Sequence, residues 1–169
     1  MKLSALLLLA SIGTAFAQER TDYNLNEGRV NFSVPSGWSA IMEKSDGNPQ
    51  AIIFWVPDPA TEGTDDTASV TVKTRRLNSP NDFAEATQNE LALSKAQTGY
   101  EAEPEGNNAN VHRYFVTRGK TRYTIRDRFT MLGNVAVQVR CQRPILDGTT
   151  QDWIARFDAG CNSVASSVK

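Results

Sequence analysis

The runs VHRYFVT (residues 111–117), RYTIRDRFTML (122–132) and VAVQVRC (135–141) are separated by Arg118-Gly119-Lys120 and by Gly133-Asn134. Each run is rich in β-branched and aromatic side chains, and each break carries a glycine suited to a turn between antiparallel neighbours. A three-stranded meander is therefore predicted over residues 111–141. Alternation sorts its side chains: Arg122, Thr124, Arg126 and Arg128 fall on one parity, Tyr123, Ile125, Asp127 and Phe129 on the other. In the last run Val135, Val137 and Val139 read as inward, and Ala136, Gln138 and Arg140 as outward.

Upstream of the meander, Val30, Phe32 and Val34 alternate with polar residues until Pro35-Ser36-Gly37 stops the strand. Trp38, Ala40 and Met42 share a parity and continue as a second strand, so the domain is expected to start like a hairpin. Residues 51–56 (AIIFWV) are an apolar run of strand length, expected to be central, and residues 68–75 alternate as a fourth strand. No helix separates these strands, which implies antiparallel pairing. Ser79-Pro80-Asn81-Asp82 then supplies a cap, a proline for the first helical position and an acid for the positive end of the dipole. A helix over 80–97 follows, stopped by Gly99. Residues 100–110 form an acidic connector. After the meander, Thr150 can cap a short helix with Trp153, Ile154 and Phe157 on its apolar face. The pattern predicts one α+β domain over residues 28–169, an antiparallel sheet flanked by helices, preceded by a flexible polar segment at 18–27.

The stretch Phe32-Ser33-Val34-Pro35-Ser36-Gly37-Trp38 resembles the F-x-V-P-x-G-W opening of the PsbP/Mog1-like superfamily, which includes PsbP proteins of photosystems, Ran-binding Mog1 proteins and bacterial DcrB-like proteins. The order of elements is similar through the terminal helix, after which the superfamily carries a serine-containing tail like residues 162–167. The resemblance implies an α/β/α sandwich and chiefly non-enzymatic assembly or adaptor roles. It supplies no catalytic motif.

Residues 1–17 read as a signal peptide: Lys2, an apolar run from Leu3 to Ala10, and Ala15-Phe16-Ala17 as the cleavage site. The run is shorter than the ~20 residues of a membrane span, so none is expected. Export implies the periplasm in a bacterium and the extracellular space otherwise. After residue 17 the chain retains 17 basic and 19 acidic side chains, a balance unlike that of a general nucleic-acid binder. Cys141 and Cys161 are the only cysteines, and an oxidising compartment predicts that they pair. A single histidine, with no phosphate loop, dinucleotide fingerprint or metal-ligand spacing, leaves no cofactor or metal expected and no enzyme indicated.

Charge is uneven along the chain. Between Val111 and Leu146 eight basic side chains stand against Asp127 alone. Arg118, Lys120, Arg122, Arg126, Arg128 and Arg140 are the predicted partner-binding residues, projecting from an outer sheet face toward an acidic protein partner. The alternative is a solvated face whose arginines pair with the acidic segments 58–66 and 101–105. Asp58, Glu62, Asp65 and Asp66 match no EF-hand spacing and read as a loop. Trp38, Trp55, Trp153 and His112 read as packing, and Asp127, on the apolar parity, as a paired or bulged residue. Two functions compete: an exported adaptor, for instance an envelope immunity or assembly factor, and a hydrolase whose site gathers Asp127, His112 and Tyr123.

Overall fold

The computed structural model describes residues 19–169, so the segment read as a signal peptide lies outside the described residues. In chain order these form β1 (Arg20–Leu25), β2 (Val30–Pro35), β3 (Ser39–Lys44), β4 (Gln50–Val56), β5 (Ala68–Arg76), α1 (Phe83–Lys95), β6 (Glu101–Ala102), β7 (Val111–Arg118), β8 (Thr121–Leu132), β9 (Val135–Pro144) and α2 (Gln151–Ser167). β1 and β2 make a small antiparallel sheet, and the other strands make a seven-stranded sheet in the order β3-β4-β5-β9-β8-β7-β6. Every pairing within it is antiparallel, and the meander is present as β7-β8-β9.

The helices begin where their local signals put them. Ser79 Oγ accepts from the Asn81 N–H while the Asp82 carboxylate accepts from the Ser79 N–H, which starts the single 3-10 turn leading into α1. Thr150 Oγ1 accepts from the Trp153 N–H and starts α2. That helix is longer than expected: it runs through Cys161 and the serine segment to Ser167, where the Ser167 hydroxyl bonds back to Val164 and to Ser33 of β2.

Two expectations near the N-terminus are corrected. The described part of the segment expected to be loose, residues 19–27, is not a free lead-in, because β1 pairs along β2 and buries Leu25, and Arg20 reaches Ser163 of α2. Nor do β2 and β3 form a hairpin: β2 pairs with β1, and β3 pairs with β4. The physical reason is burial. Val30, Phe32 and Val34 lie in a layer over the main sheet, where Tyr23 and Phe32 meet Phe54 edge-on at ring separations of 4.8 and 6.2 Å. β3 is instead a sheet edge, with all six residues exposed. Trp38 and Trp153 do pack, but Trp55 is 36% exposed.

Helices cover both faces of the large sheet, as in an α/β/α sandwich. α2 and the β1–β2 hairpin bury Ile52, Phe54, Val70, Val72, Val137 and Val139 on one side. α1 lies on the other side, above Tyr114, Val116, Tyr123 and Ile125, with Ser94 touching the Tyr114 hydroxyl. The two covers are offset. α1 reaches from Lys73 of β5 to Tyr114 of β7, whereas the α2 side is covered over β4, β5 and β9. On that side β7 adds nothing to the core under α2 and β8 only Leu132, and most of their residues there are half-buried.

Register decides what projects there. The two-residue turn Gly133-Asn134 pairs Leu132 with Val135, so Arg126 lies opposite Cys141 and Arg128 opposite Val139. Residues directly opposite one another in an antiparallel ladder share a face. Arg126 and Arg128 therefore share the side of Val137 and Val139, while Ile125 and Asp127 share the side of Gln142 and Arg140. The expected single arginine face, opposite both Ile125 and the valines, does not exist.

Candidate functional site

The α2 side of β7 and β8 holds a cleft of about 130 Å³ against α2. Arg113, Arg126 and Arg143 line it together with Glu103 and Asp158, and Cys141 and Phe157 also border it. Arg113 stands directly opposite Arg126 across the β7–β8 ladder, and Arg143 stands opposite Thr124. Like charges placed in this way repel. Arg126 Nη2 lies 3.9 Å from an Asp158 carboxylate oxygen and donates to the Asp158 carbonyl at 3.4 Å. Burial lowers the Arg126 pKa; Asp158 and Glu103 oppose that shift, while Arg113 and Arg128 add to it.

The loop between β6 and β7 holds Arg113 in place. Its N–H donates to Asn107 Oδ1 at 2.5 Å, and the Glu103 N–H donates to its carbonyl at 3.0 Å. Gly106, at φ +81°, lets this loop close on the guanidinium, for a Cβ there would meet Arg113 at 3.3 Å. Arg113 Nε is buried with no partner among the described residues. On the opposite wall, the disulfide Cys141–Cys161, with Cα atoms 6.3 Å apart, fixes α2 to β9 one helical turn beyond Phe157 and Asp158. The expected cysteine pairing is thus present.

The six predicted partner-binding residues divide between the faces. Arg122, Arg126 and Arg128 are on the α2 side, and Lys120 is exposed in the turn. Arg122 pairs with Glu101 at 2.7 Å and lies 4.1 Å over the Phe115 ring. Arg118 is on the α1 side, 4.8 Å over the Tyr123 ring and donating to Gln142 at 2.8 Å. Arg140 is also on the α1 side, where its guanidinium bonds both oxygens of Asp127. Arg113 and Arg143, which sequence reasoning left out of the site, complete the cleft. Their signal was the register of the two hairpins, since neither is distinguished within its own strand.

Asp127 is 1% exposed and is the centre of a buried network. It accepts from Arg140 at 2.8 and 2.9 Å and from the Tyr114 hydroxyl at 2.9 Å. Ser94 Oγ lies 3.0 Å from both Tyr114 and Arg140. Burial first, then the neighbouring Asp127 charge, pushes the Tyr114 pKa well above the ordinary tyrosine range. For Arg140, burial disfavours the charge, but the hydrogen bond and charge of Asp127 outweigh it and raise the pKa. His112 is opposite Asp127 in register, yet its ring packs edge-on against Phe129 and its Nε2 has no partner among the described residues. Tyr123 donates to Asp66 instead, so Asp127, His112 and Tyr123 are not joined into a relay.

The acidic loop is likewise occupied internally. Asp58 accepts from the Ala60 N–H and from Thr149, and Asp66 accepts from Thr121 and Tyr123. Among the described residues no three His, Cys, Asp or Glu side chains converge as a metal site, and no helix is long and apolar enough to cross a membrane.

A seven-stranded antiparallel sheet between helices, with an N-terminal hairpin layered beside the terminal helix, defines an α+β protein of the PsbP/Mog1-like fold. Solved structures similar to it include LpqN of Mycobacterium tuberculosis, described as involved in cell envelope biogenesis, at TM-score 0.57 and 15% identity over 89% of this chain and 90% of that one. The Ran-binding protein Mog1p of Saccharomyces cerevisiae matches at TM-score 0.54 and 14% identity, over 90% of this chain and 96% of its own. A Bacteroides thetaiotaomicron protein matches at TM-score 0.49 and 15% identity; 90% of this chain is covered, but only 48% of that one. This chain thus spans about half the length of the Bacteroides protein. No protein-family model and no curated protein matches the chain in sequence.

Proposed function

We propose that the protein is an exported, non-catalytic binding module that recognises an acidic protein partner through the arginine-bearing α2 side of β7 and β8. The observation that carries this reading is the gathering of half-buried arginines on that side. Arg113, Arg126, Arg128 and Arg143 project there, and Arg126–Asp158 is the one ion pair they make among the described residues. The titratable groups with catalytic potential support the same reading from the other side. Asp127, Tyr114 and Arg140 are consumed in one another's hydrogen bonds, so none of the three is free to act as a base or acid on a substrate. The disulfide and the signal-like N-terminus support export. An envelope role as an assembly factor is in keeping with LpqN, described as involved in cell envelope biogenesis, and protein recognition with the Ran-binding Mog1p, as proteins sharing the fold.

The test is capture by the tagged mature protein from the envelope fraction of its source, compared with the Arg126→Glu/Arg128→Glu variant. Salt-sensitive capture that the reversal abolishes, with the far-ultraviolet circular dichroism unchanged, supports the reading. Capture indifferent to both salt and reversal overturns it.

A further inference from the structure

The cleft beside α2 allows a more specific statement: we infer that it is a carboxylate pocket, in which Arg113, Arg126 and Arg143 grip one acidic side chain or terminal carboxylate of the partner. This rests on the reading that the arginine quadrant is a recognition surface, and adds the group it takes. Three guanidinium groups face two carboxylates there, which leaves one positive charge in surplus. A monoanion closes that balance, whereas a phosphate dianion would overshoot it and face Glu103 and Asp158 at close range. The volume of about 130 Å³ is some tenfold the roughly 10–15 Å³ that a single water needs, so a side-chain carboxylate fits.

The donors are little used. Among the described residues neither the Arg113 nor the Arg143 side chain donates a hydrogen bond, and Arg126 donates only to the Asp158 carbonyl, at 3.4 Å. A guanidinium fork matches a carboxylate in a bidentate manner, which suits arginine to this group. Asp158 is a weak internal stand-in, half exposed and 3.9 Å from Arg126. It can leave to solvent when a better carboxylate arrives. The disulfide holds the α2 wall in place, so the pocket is formed before the ligand enters.

Isothermal titration of the mature protein tests this with an N-acetylated, C-amidated tetraglutamate peptide, its tetraglutamine counterpart, glutarate and inorganic phosphate. The glutamate peptide is expected to bind and the glutamine peptide not to. Arg126→Lys and Arg143→Lys should each weaken binding about tenfold, while Arg128→Lys, outside the cleft, should change it less than about twofold. Asp158→Asn should tighten binding by about threefold by removing the competitor. Arg143→Lys serves where Arg126→Lys proves unfolded by circular dichroism. Phosphate binding tighter than the peptide overturns the carboxylate assignment, and glutarate binding as tightly as the peptide overturns the partner-borne source. Equal losses in all three lysine variants, or no binding by the glutamate peptide, overturn the pocket. If capture is nonetheless abolished by Arg126→Glu/Arg128→Glu, the recognition surface stands and only the pocket falls; indifferent capture removes both.

Discussion

Arg140 of β9 stands directly across the ladder from Asp127 of β8, and its Nε and Nη2 meet the two carboxylate oxygens at 2.8 and 2.9 Å. The side chains are 24% and 2% exposed, so the pair lies largely out of water beneath α1. Taking two charges out of water is costly, and a buried pair offsets that cost only when its remaining donors and acceptors are satisfied. Tyr114 and Ser94 supply that satisfaction. The arrangement locks α1, β7, β8 and β9 together in one register.

Removing one partner should therefore cost more than removing both. Asp127→Asn leaves Arg140 charged without its counter-ion and is expected to lower the unfolding free energy by about 3 kcal/mol. Asp127→Leu combined with Arg140→Met should recover most of that loss. Urea denaturation monitored by tryptophan fluorescence reads both. A loss below about 1 kcal/mol for Asp127→Asn would show that solvent, rather than the pair, accommodates Arg140.

Tyr114 predicts an alkaline effect of definite sign. Its pKa in the folded protein is raised above the ordinary value of 10.0, so below that pH the hydroxyl is protonated in both folded and unfolded chains. Above it the unfolded chain releases the proton while the folded one keeps it, and stability falls as pH rises. Between pH 9 and 11 this contributes about 1 kcal/mol of loss. Tyr114→Phe should start less stable by about 1 kcal/mol, from the lost hydrogen bond, and then decline less over the same interval. Tyr123, also raised by burial and by its bond to Asp66, remains in the variant, so some decline persists. Parallel curves for the two proteins would remove Tyr114 as the cause.

What could be read in the sequence was local. The caps at Ser79 and Thr150 depend on residues within one turn, and both helices begin at them. Asp127 on an apolar parity signalled a paired acid. Its partner was hidden because alternation orders the side chains within a strand but not the strands against one another. The two-residue turn at Gly133-Asn134 contains the missing information: it sets odd-numbered residues of β8 beside even-numbered residues of β9, which moves Arg140 beneath α1 and leaves Arg126 in the cleft. Arg113 and Arg143 join the site only through that register. β1 left little trace, because four of its six residues are exposed and only Leu25 is buried, so no apolar alternation marks it.

The disulfide should matter to both stability and the cleft. It closes a segment of 20 residues between β9 and α2, which in the chain-entropy model is worth about 3 kcal/mol. Replacing Cys141 and Cys161 together by alanine is expected to lower stability by about that amount. Unreduced wild-type protein unfolded in guanidinium should show no free thiol to a colorimetric reagent. Two titratable thiols there, or a stability change under about 1 kcal/mol in the double variant, would count against a structural bridge.

Gly160 offers a test of how the N-terminal motif meets the last helix. It sits inside α2, where alanine is ordinarily favoured over glycine by about 1 kcal/mol. A Cβ at this position, however, would lie 2.6 Å from Trp38 Cζ2 and 2.9 Å from its Cη2, with Pro35 Cγ at 3.5 Å. The indole is also packed beside Phe157, with ring centroids 6.2 Å apart, so it has little freedom to withdraw. Overpacking of this kind costs about 1–3 kcal/mol, enough to outweigh the helical gain. Gly160→Ala should thus destabilise the protein, and Trp38→Leu should destabilise it by leaving a void. The two changes together should cost less than their sum by about 1 kcal/mol or more, because the new methyl then occupies the space the indole vacates. An additive double variant would mean that the two residues do not press on each other. Coupling of the expected sign would mean that the glycine is there for the tryptophan, and that the Val34-Pro35-Ser36-Gly37-Trp38 segment is a clasp on α2 rather than the start of a strand.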